Sequence, residues 1–370
     1  MDVSGTAAPR IWLHGASVGD ARALGGLLAR LQSDFPSLAP LLTVGRAGGR
    51  EAARRWYPGL DVRPPPLPFS TATSGFLARN GVRLLVLEYL ELWPGFVAAC
   101  DAAGVPVVVV DGHVTHRSLR IRPLLHRAAG RIALFCAQTA EDATAAAALG
   151  VPPDRIHVTG NGKHDRVTEP ASPSAELRAA LGRFDVVVGS LNRDEESALA
   201  IAFRGFPGRM LVAPRDVRRA APLVAALRAG GASVALRSTP GAAEAQFAVL
   251  DTVGELAQAY ALGRVALVGG TFCRREGQNL IEPASHGLPV VHGPRTGNIR
   301  AETLALDGRG AIQVASLVEA AGVVQQLLAG ASASIDPRPA LLTLTGAVGR
   351  QTRLLRPFLD AVGEPCYSVG

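Results

Sequence analysis

The chain has 370 residues, 48% hydrophobic and 19% charged, with a net charge of +7 and a pI of about 9.9. Such a length exceeds one ordinary core and suits two domains, while the basic balance favours anionic partners such as phosphates, nucleotides or a membrane surface. Cys100, Cys136, Cys273 and Cys366 form no CxxC pair, which excludes a zinc or disulfide framework and points to a reducing compartment; no run of about 18 apolar residues offers a spanning helix, and "MDVSGTAAPR" has no apolar signal region.

Short β-branched runs alternate with helical stretches along the chain. Strands are predicted at 11–14, 41–44, 83–87, 105–110, 132–136 and 156–158, and again at 185–189, 210–213, 233–236, 247–250, 265–268, 289–292 and 311–314. Between them the spacing predicts helices such as 20–32, 93–103, 139–149, 194–202, 217–229, 254–262 and 280–287. This alternation argues for parallel sheets with helices on both faces. The Pro- and Ser-rich stretch 168–176 reads as a linker. It separates a domain at 1–167 from one at 177–345, and a final helix within 346–370 is expected to pack back on the first domain. Two doubly wound Rossmann-like domains facing each other across a cleft follow, with ligands at the carboxyl ends of the strands.

Polar residues cluster where those strands end. "HGASVGD" (14–20) places Ser17, Gly19 and Asp20 at a helix start, where backbone amides can hold an anion or the side chains can simply cap the helix. "VLEYLELWPG" (86–95) sets Glu88 and Glu91 before a helix opened by Pro94, either as solvated carboxylates or as part of a site. Arg117, Arg120, Arg122, Arg127 and Arg131 alternate with leucines, as on a basic helix face or a surface for anionic headgroups. Lys163, in "VTGNGKHD", is the only lysine in the chain. "GSLNRDEE" (189–196) carries Ser190 and Asn192, and "PRD" carries Pro214 and Arg215. Thr252 and Glu255 in "DTVGEL" have capping-box spacing around Gly254. "GGTFCRREGQNLIEP" (269–283) puts Gly270, Asn279 and Glu282 between a strand and a helix mouth. No acidic cluster has the character of a metal site, and neither a cofactor nor a nucleic-acid partner is expected.

Taken in order, "HGASVGD", "ELWPG", "HVTHRS", "AQTAEDA", "VTGNGKHD", "GSLNRDEE", "PRD", "DTVGELAQAY" and "GQNLIEPASHGLPVVHGP" resemble the 3-deoxy-D-manno-octulosonic acid (Kdo) transferases of lipopolysaccharide assembly, across roughly residues 10 to 360. The resemblance implies a GT-B-type glycosyltransferase that takes Kdo from CMP-Kdo, a nucleotide sugar, to a lipid A precursor without a metal. It implies a cytoplasmic protein held peripherally on the inner membrane by its anionic surface. By resemblance Asp20 is the general base. Ser17, Gly19, Glu91 and Arg117 meet the acceptor. The donor is held by Lys163, Ser190, Asn192, Pro214, Arg215, Gly254, Glu255, Gly270, Asn279 and Glu282, with Glu282 on the ribose hydroxyls.

The match has departures. Asp20 stands where the family has Glu, and "ETELWPN" has become "YLELWPG", so that Tyr89 replaces a Glu and Glu88 is out of register. "STH" is Ser190-Leu191-Asn192, and "PRH" is Pro214-Arg215-Asp216, whose Asp216 would repel a phosphate unless it points away. "GGHN" is "EGQN", and the family's amino-terminal hydrophobic anchor has no counterpart. These changes leave open a GT-B enzyme with another donor or acceptor, and an inactive nucleotide- or lipid-binding relative.

Overall fold

The computed structural model describes residues 9–166, 170–330 and 336–363. The amino-terminal segment before Pro9, residues 168–169 of the predicted linker, and Cys366 lie outside the described residues. The chain divides into two compact units, one comprising Met1–Arg166 with Thr345–Gly370 and the other Val167–Leu344.

In the first unit β1 (Arg10–Gly15), β2 (Ala39–Val44), β3 (Asp61–Arg63), β4 (Val82–Glu88), β5 (Val107–Gly112), β6 (Leu134–Ala137) and β7 (Ile156–Val158) form one sheet in the order β3-β2-β1-β4-β5-β6-β7. Its pairings are parallel. Successive side chains along each strand go to opposite faces. Ile11 and Leu13 enter one apolar cluster with Leu84 and Val86, while Trp12 enters another with Leu85 and Phe96 on the opposite face. A strand buried on both faces needs a continuous apolar run, which "VVVV" in β5 supplies. The helix Ala347–Gly363 closes this unit, lending Leu355, Leu359 and Val362 to the first of those clusters. Asp165 caps it, its two carboxylate oxygens accepting the amides of Ala347 (3.0 Å) and Val348 (2.8 Å).

The second unit repeats the plan with β8 (Val186–Leu191), β9 (Met210–Pro214), β10 (Val234–Leu236), β11 (Phe247–Val249), β12 (Val265–Val268), β13 (Val290–His292) and β14 (Ala311–Gln313), ordered β10-β11-β9-β8-β12-β13-β14. Val187 faces Leu211 and Ala266 on one side; Val186 and Val188 face Met210, Val212 and Leu267 on the other.

Three expectations need correction. The helix predicted at 20–32 is two, Val18–Ala23 and Gly25–Asp34, broken at Leu24. The predicted linker overlaps the helix Ala175–Leu181, which Ser174 caps by accepting the Leu177 amide (3.1 Å). The edge strand β3 is absent from the predicted set, because "DVR" holds a single apolar residue and its one buried side chain gives no alternation to see.

Candidate functional site

In a doubly wound sheet the crevice lies where the strand order reverses, outside the carboxyl ends of the strands. In the first unit that point falls between β1 and β4. The turn after β1 folds tightly enough that a Cβ on Gly15 would stand 2.7 Å from the Asp20 Cβ. Ser17 and Asp20 then make the reciprocal capping box of the helix Val18–Ala23. Asp20 Oδ2 accepts the amides of Ala16 (3.0 Å) and Ser17 (2.9 Å) and the Ser17 hydroxyl (2.9 Å). Its Oδ1 has no hydrogen-bond partner among the described residues. Capping therefore uses one oxygen and leaves the other available.

Around Asp20 lie groups whose protonation the fold has displaced, and its charge reaches His14, Glu88, Glu91 and Lys163. Burial drives the His14 imidazole down to about 4, so the ring, bonded to the Thr43 hydroxyl (2.8 Å), is neutral near pH 7. Glu88 ends β4 at 0% exposure; among the described residues no amide, hydroxyl or cation bonds either carboxyl oxygen, and the Asp111 carboxyl lies within reach to share its proton. Burial first, and the Asp111 charge second, push it well above the usual carboxylate range, against the pull of Lys163. The solvated reading of Glu88 is thereby overturned. Asp111, at the end of β5, is raised by burial although its Oδ1 accepts the Gly162 amide (2.8 Å) and the Gln351 side-chain amide (2.6 Å).

Lys163 threads this group. Its ammonium donates to the Tyr89 hydroxyl (2.8 Å) and lies 4.2 Å from the Tyr89 ring centroid. Burial alone would lower its pKa, but the Tyr89 oxygen and the Glu88 and Asp20 carboxyls hold it above the usual value. Tyr89 itself has φ +61°, a left-handed conformation that non-glycine residues seldom adopt. Glu91 is half-buried and accepts from Trp93 Nε1 (3.2 Å); burial raises its pKa. Gly19 is exposed beside Ser17, and Arg117 is exposed on the short helix His116–Arg120. Ser17, Gly19, Asp20, Glu91, Arg117 and Lys163 thus all belong to the first unit.

In the second unit the order reverses between β8 and β12. Gly269 allows β12 to come close to the end of β8: a Cβ there would sit 2.6 Å from the Leu191 Cα. Gly270 has φ +71° and Ser190 φ +54°, so both strand ends turn through left-handed backbone. One side chain ties them together. Glu195, 2% exposed, accepts the amides of Asn192 (2.8 Å), Gly270 (2.7 Å) and Phe272 (2.9 Å). The sequence reading passes over this residue, although its spacing three residues after Asn192 is that of a capping box.

The remaining predicted donor residues surround these turns. Pro214 ends β9, and Arg215 follows it exposed, its amide on the Leu191 carbonyl (2.8 Å) and its guanidinium without a partner among the described residues. Asp216 turns to Arg218, which grips both its oxygens (2.9 and 2.8 Å), so its charge is countered locally. Gly254 occupies an exposed turn at φ +90°. Glu255 and Thr252 do not form the expected capping box: the Thr252 hydroxyl donates directly to the Glu255 carboxylate, which also pairs with Arg237 (3.1 Å). Asn279 Oδ1 accepts the amides of Ile281 (2.9 Å) and Glu282 (3.4 Å), capping the short helix Ile281–Ser285. Glu282 stands half-buried in its first turn; burial first, and the Glu282 charge second, raise the Tyr260 phenol. Among the described residues no three His, Cys, Asp or Glu side chains are grouped to hold a metal ion.

A sequence profile described as 3-deoxy-D-manno-octulosonic-acid transferase (kdotransferase) matches residues 2–166. The chain is 35% identical over 323 residues to the 3-deoxy-D-manno-octulosonic acid transferase of Bordetella pertussis, covering 80% of this chain and 73% of the relative. It is 25% identical over 375 residues to the protein of the same name from Haemophilus influenzae, covering 95% and 87%. Among solved structures a glycosyltransferase from Rickettsia africae superposes with a TM-score of 0.67 over 96% of this chain and 99% of the other, at 9% identity, a likeness of fold.

Proposed function

The chain belongs to the Kdo transferase family of glycosyltransferases, and we propose that it moves Kdo from CMP-Kdo to a lipid A precursor in lipopolysaccharide assembly, with Asp20 as the general base. One observation carries the base: Asp20 commits Oδ2 to three hydrogen bonds and keeps Oδ1 unpartnered, among the described residues, at the switch point of its sheet. Those bonds fix the carboxylate, so it meets an acceptor hydroxyl already ordered. The acceptor oxygen attacks the anomeric carbon while its proton passes to Oδ1. The bond from that carbon to the CMP phosphate breaks, and its electron pair leaves with the phosphate oxygen.

Binding of the donor's nucleotide falls to the second unit, while Lys163 of the first is left for the sugar. The carboxylate of Glu282 suits a ribose diol, two hydroxyl donors for one acceptor pair. Arg215 offers its guanidinium to the phosphate, and the turn at Gly254 and Glu255 is assigned to the cytosine base. Ser190, Asn192 and Gly270 shape the strand ends about them. With cationic side chains neutralising the leaving phosphate, turnover is expected to persist in EDTA.

A peripheral contact with an anionic membrane is supported by the first unit's surface. Arg117, Arg120, Arg122 and Arg127 lie beside Ile121 and Leu124, the latter 71% exposed. Among the described residues no helix is long and apolar enough to cross a membrane. The test of the whole reading is CMP release from CMP-Kdo by the purified protein, with and without lipid A precursor. Release that requires the precursor is expected. No release, or release at an equal rate without it, would reject the transfer reaction.

A further inference from the structure

His113 follows β5 on the same sheet edge as Asp20 and Lys163. Its Nδ1 lies 2.9 Å from Asp142 Oδ1, and Asp142, almost fully buried at the start of the helix Ala140–Leu149, is fixed by the Val114 amide (3.0 Å) and the Thr139 hydroxyl (3.0 Å). The ring is clamped at one nitrogen, 42% exposed, and Nε2 is unpartnered among the described residues. It stands edge-on to Tyr89, ring centroids 6.1 Å apart at 78°. Tyr89 is the residue that also carries the Lys163 ammonium on its hydroxyl and ring. Tyr89, with its left-handed backbone, thus has one aromatic ring beside both the Lys163 ammonium and the His113 imidazole. Like charges so placed gain from an anion that both can reach.

We propose that His113, as imidazolium, is a second cationic contact beside Lys163 for the carboxylate of the sugar acid being transferred. This rests on the reading of the protein as a Kdo transferase. The groups facing His113 are Asp142 from the helix Ala140–Leu149, Lys163 from the turn 162–166 and the Tyr89 ring. The bond from Asp142 raises the imidazole's pKa, outweighing burial and the repulsion of Lys163. The charged form therefore persists to higher pH than in an ordinary histidine and is lost as pH rises through the raised value.

The consequence is a donor KM that is low below that pH and climbs above it. The experiment is the pH dependence of KM for CMP-Kdo, and separately for lipid A precursor, in the wild type, His113→Gln and His113→Arg, each checked for an unchanged melting temperature. His113→Gln is expected to raise the donor KM about tenfold at low pH, as the loss of one charge-assisted bond does, and to remove its pH dependence. His113→Arg, charged throughout, is expected to restore a low donor KM at every pH, which a purely structural histidine would not do. A wild type that turns over while His113→Gln leaves the donor KM and its pH profile unchanged overturns the inference alone, as does an effect confined to the acceptor KM. A wild type without CMP release overturns the transferase reading and this inference with it.

Discussion

At the end of β4 the carboxyl of Glu88 is fully buried and, among the described residues, bonded by no amide, hydroxyl or cation, with the Asp111 carboxyl beside it, whereas just beyond β8 the carboxylate of Glu195, almost equally buried, accepts three backbone amides. Both sit at the switch point of a seven-stranded parallel sheet. The difference is in what each edge is asked to hold. In the second unit buried charge is matched to backbone: Glu195 stitches the turns after β8 and β12, and Asn279 caps the helix that presents Glu282. Such an edge is suited to hold a bound molecule in a fixed mould. In the first unit charge is left incompletely answered, with Glu88, Asp111, Lys163 and Asp20 acting on one another through space. An edge of that kind is suited to moving protons, as the proposed general base requires. On the proposed reading, two similar folds divide binding and chemistry by how far their polar groups are satisfied.

The comparison is broken most directly at Asp20. Asp20→Asn keeps a side-chain oxygen for the same capping bonds, neutral in place of charge-assisted, so the fold is expected to survive with a modest drop in melting temperature while turnover falls by about 10²–10⁴-fold. Near wild-type turnover in a normally folded variant would reduce Asp20 to a helix cap. On the binding side, Glu195→Ala strands three amides, and a loss of about 3 kcal/mol in unfolding free energy is expected, read by chemical denaturation, together with weakened CMP binding. Full stability would mean that the turns hold themselves. A smaller effect is expected at Glu282, where Glu282→Gln exchanges a charge-assisted bond for a neutral one and should cost roughly 1–3 kcal/mol of CMP affinity by titration calorimetry.

Glu88 gives the subtlest readout. Because its folded pKa is raised, the folded chain keeps a proton that the unfolded chain has already released above the usual glutamate range. Its contribution to stability is therefore lost as pH rises from that range towards the folded value. Glu88→Gln cannot ionise. Relative to wild type its melting temperature should rise progressively as pH climbs above the usual glutamate range; parallel curves would show that Glu88 is not held protonated.

Much of this architecture is legible in the sequence. The thirteen predicted strands are all present, because parallel strands buried on both faces announce themselves as short apolar runs such as "VVVV" and "VALV". The helices Ala47–Trp56 and Leu317–Leu328 are harder to read: the first buries only the small residues Gly49, Ala52 and Ala53 among its arginines, and the second is apolar over most of its length, so its buried face does not stand out. Asp20 and Ser17 are visible as a local pair. What stays hidden is long-range. Gln351 meets Asp111 across 240 positions, Tyr89 meets Lys163 across 74, and Glu195 reaches Gly270 across 75. No local spacing encodes such contacts, and nothing in the residue type of Glu88 says that its strand end is dry.

The helix Ala347–Gly363 also bears on how the protein is made. It fills part of the first unit's core through Leu355, Leu359 and Val362, and its Gln351 supplies one of the two bonds to buried Asp111. On the ribosome, synthesis runs from the amino terminus, so this unit waits with an apolar face uncovered while all of Val167–Leu344 is translated. The later unit, contiguous in sequence, is free to fold first. Nascent chains arrested near Leu344 are expected to be the species that chaperones engage most strongly, and release of the last helix to be the event that ends that engagement.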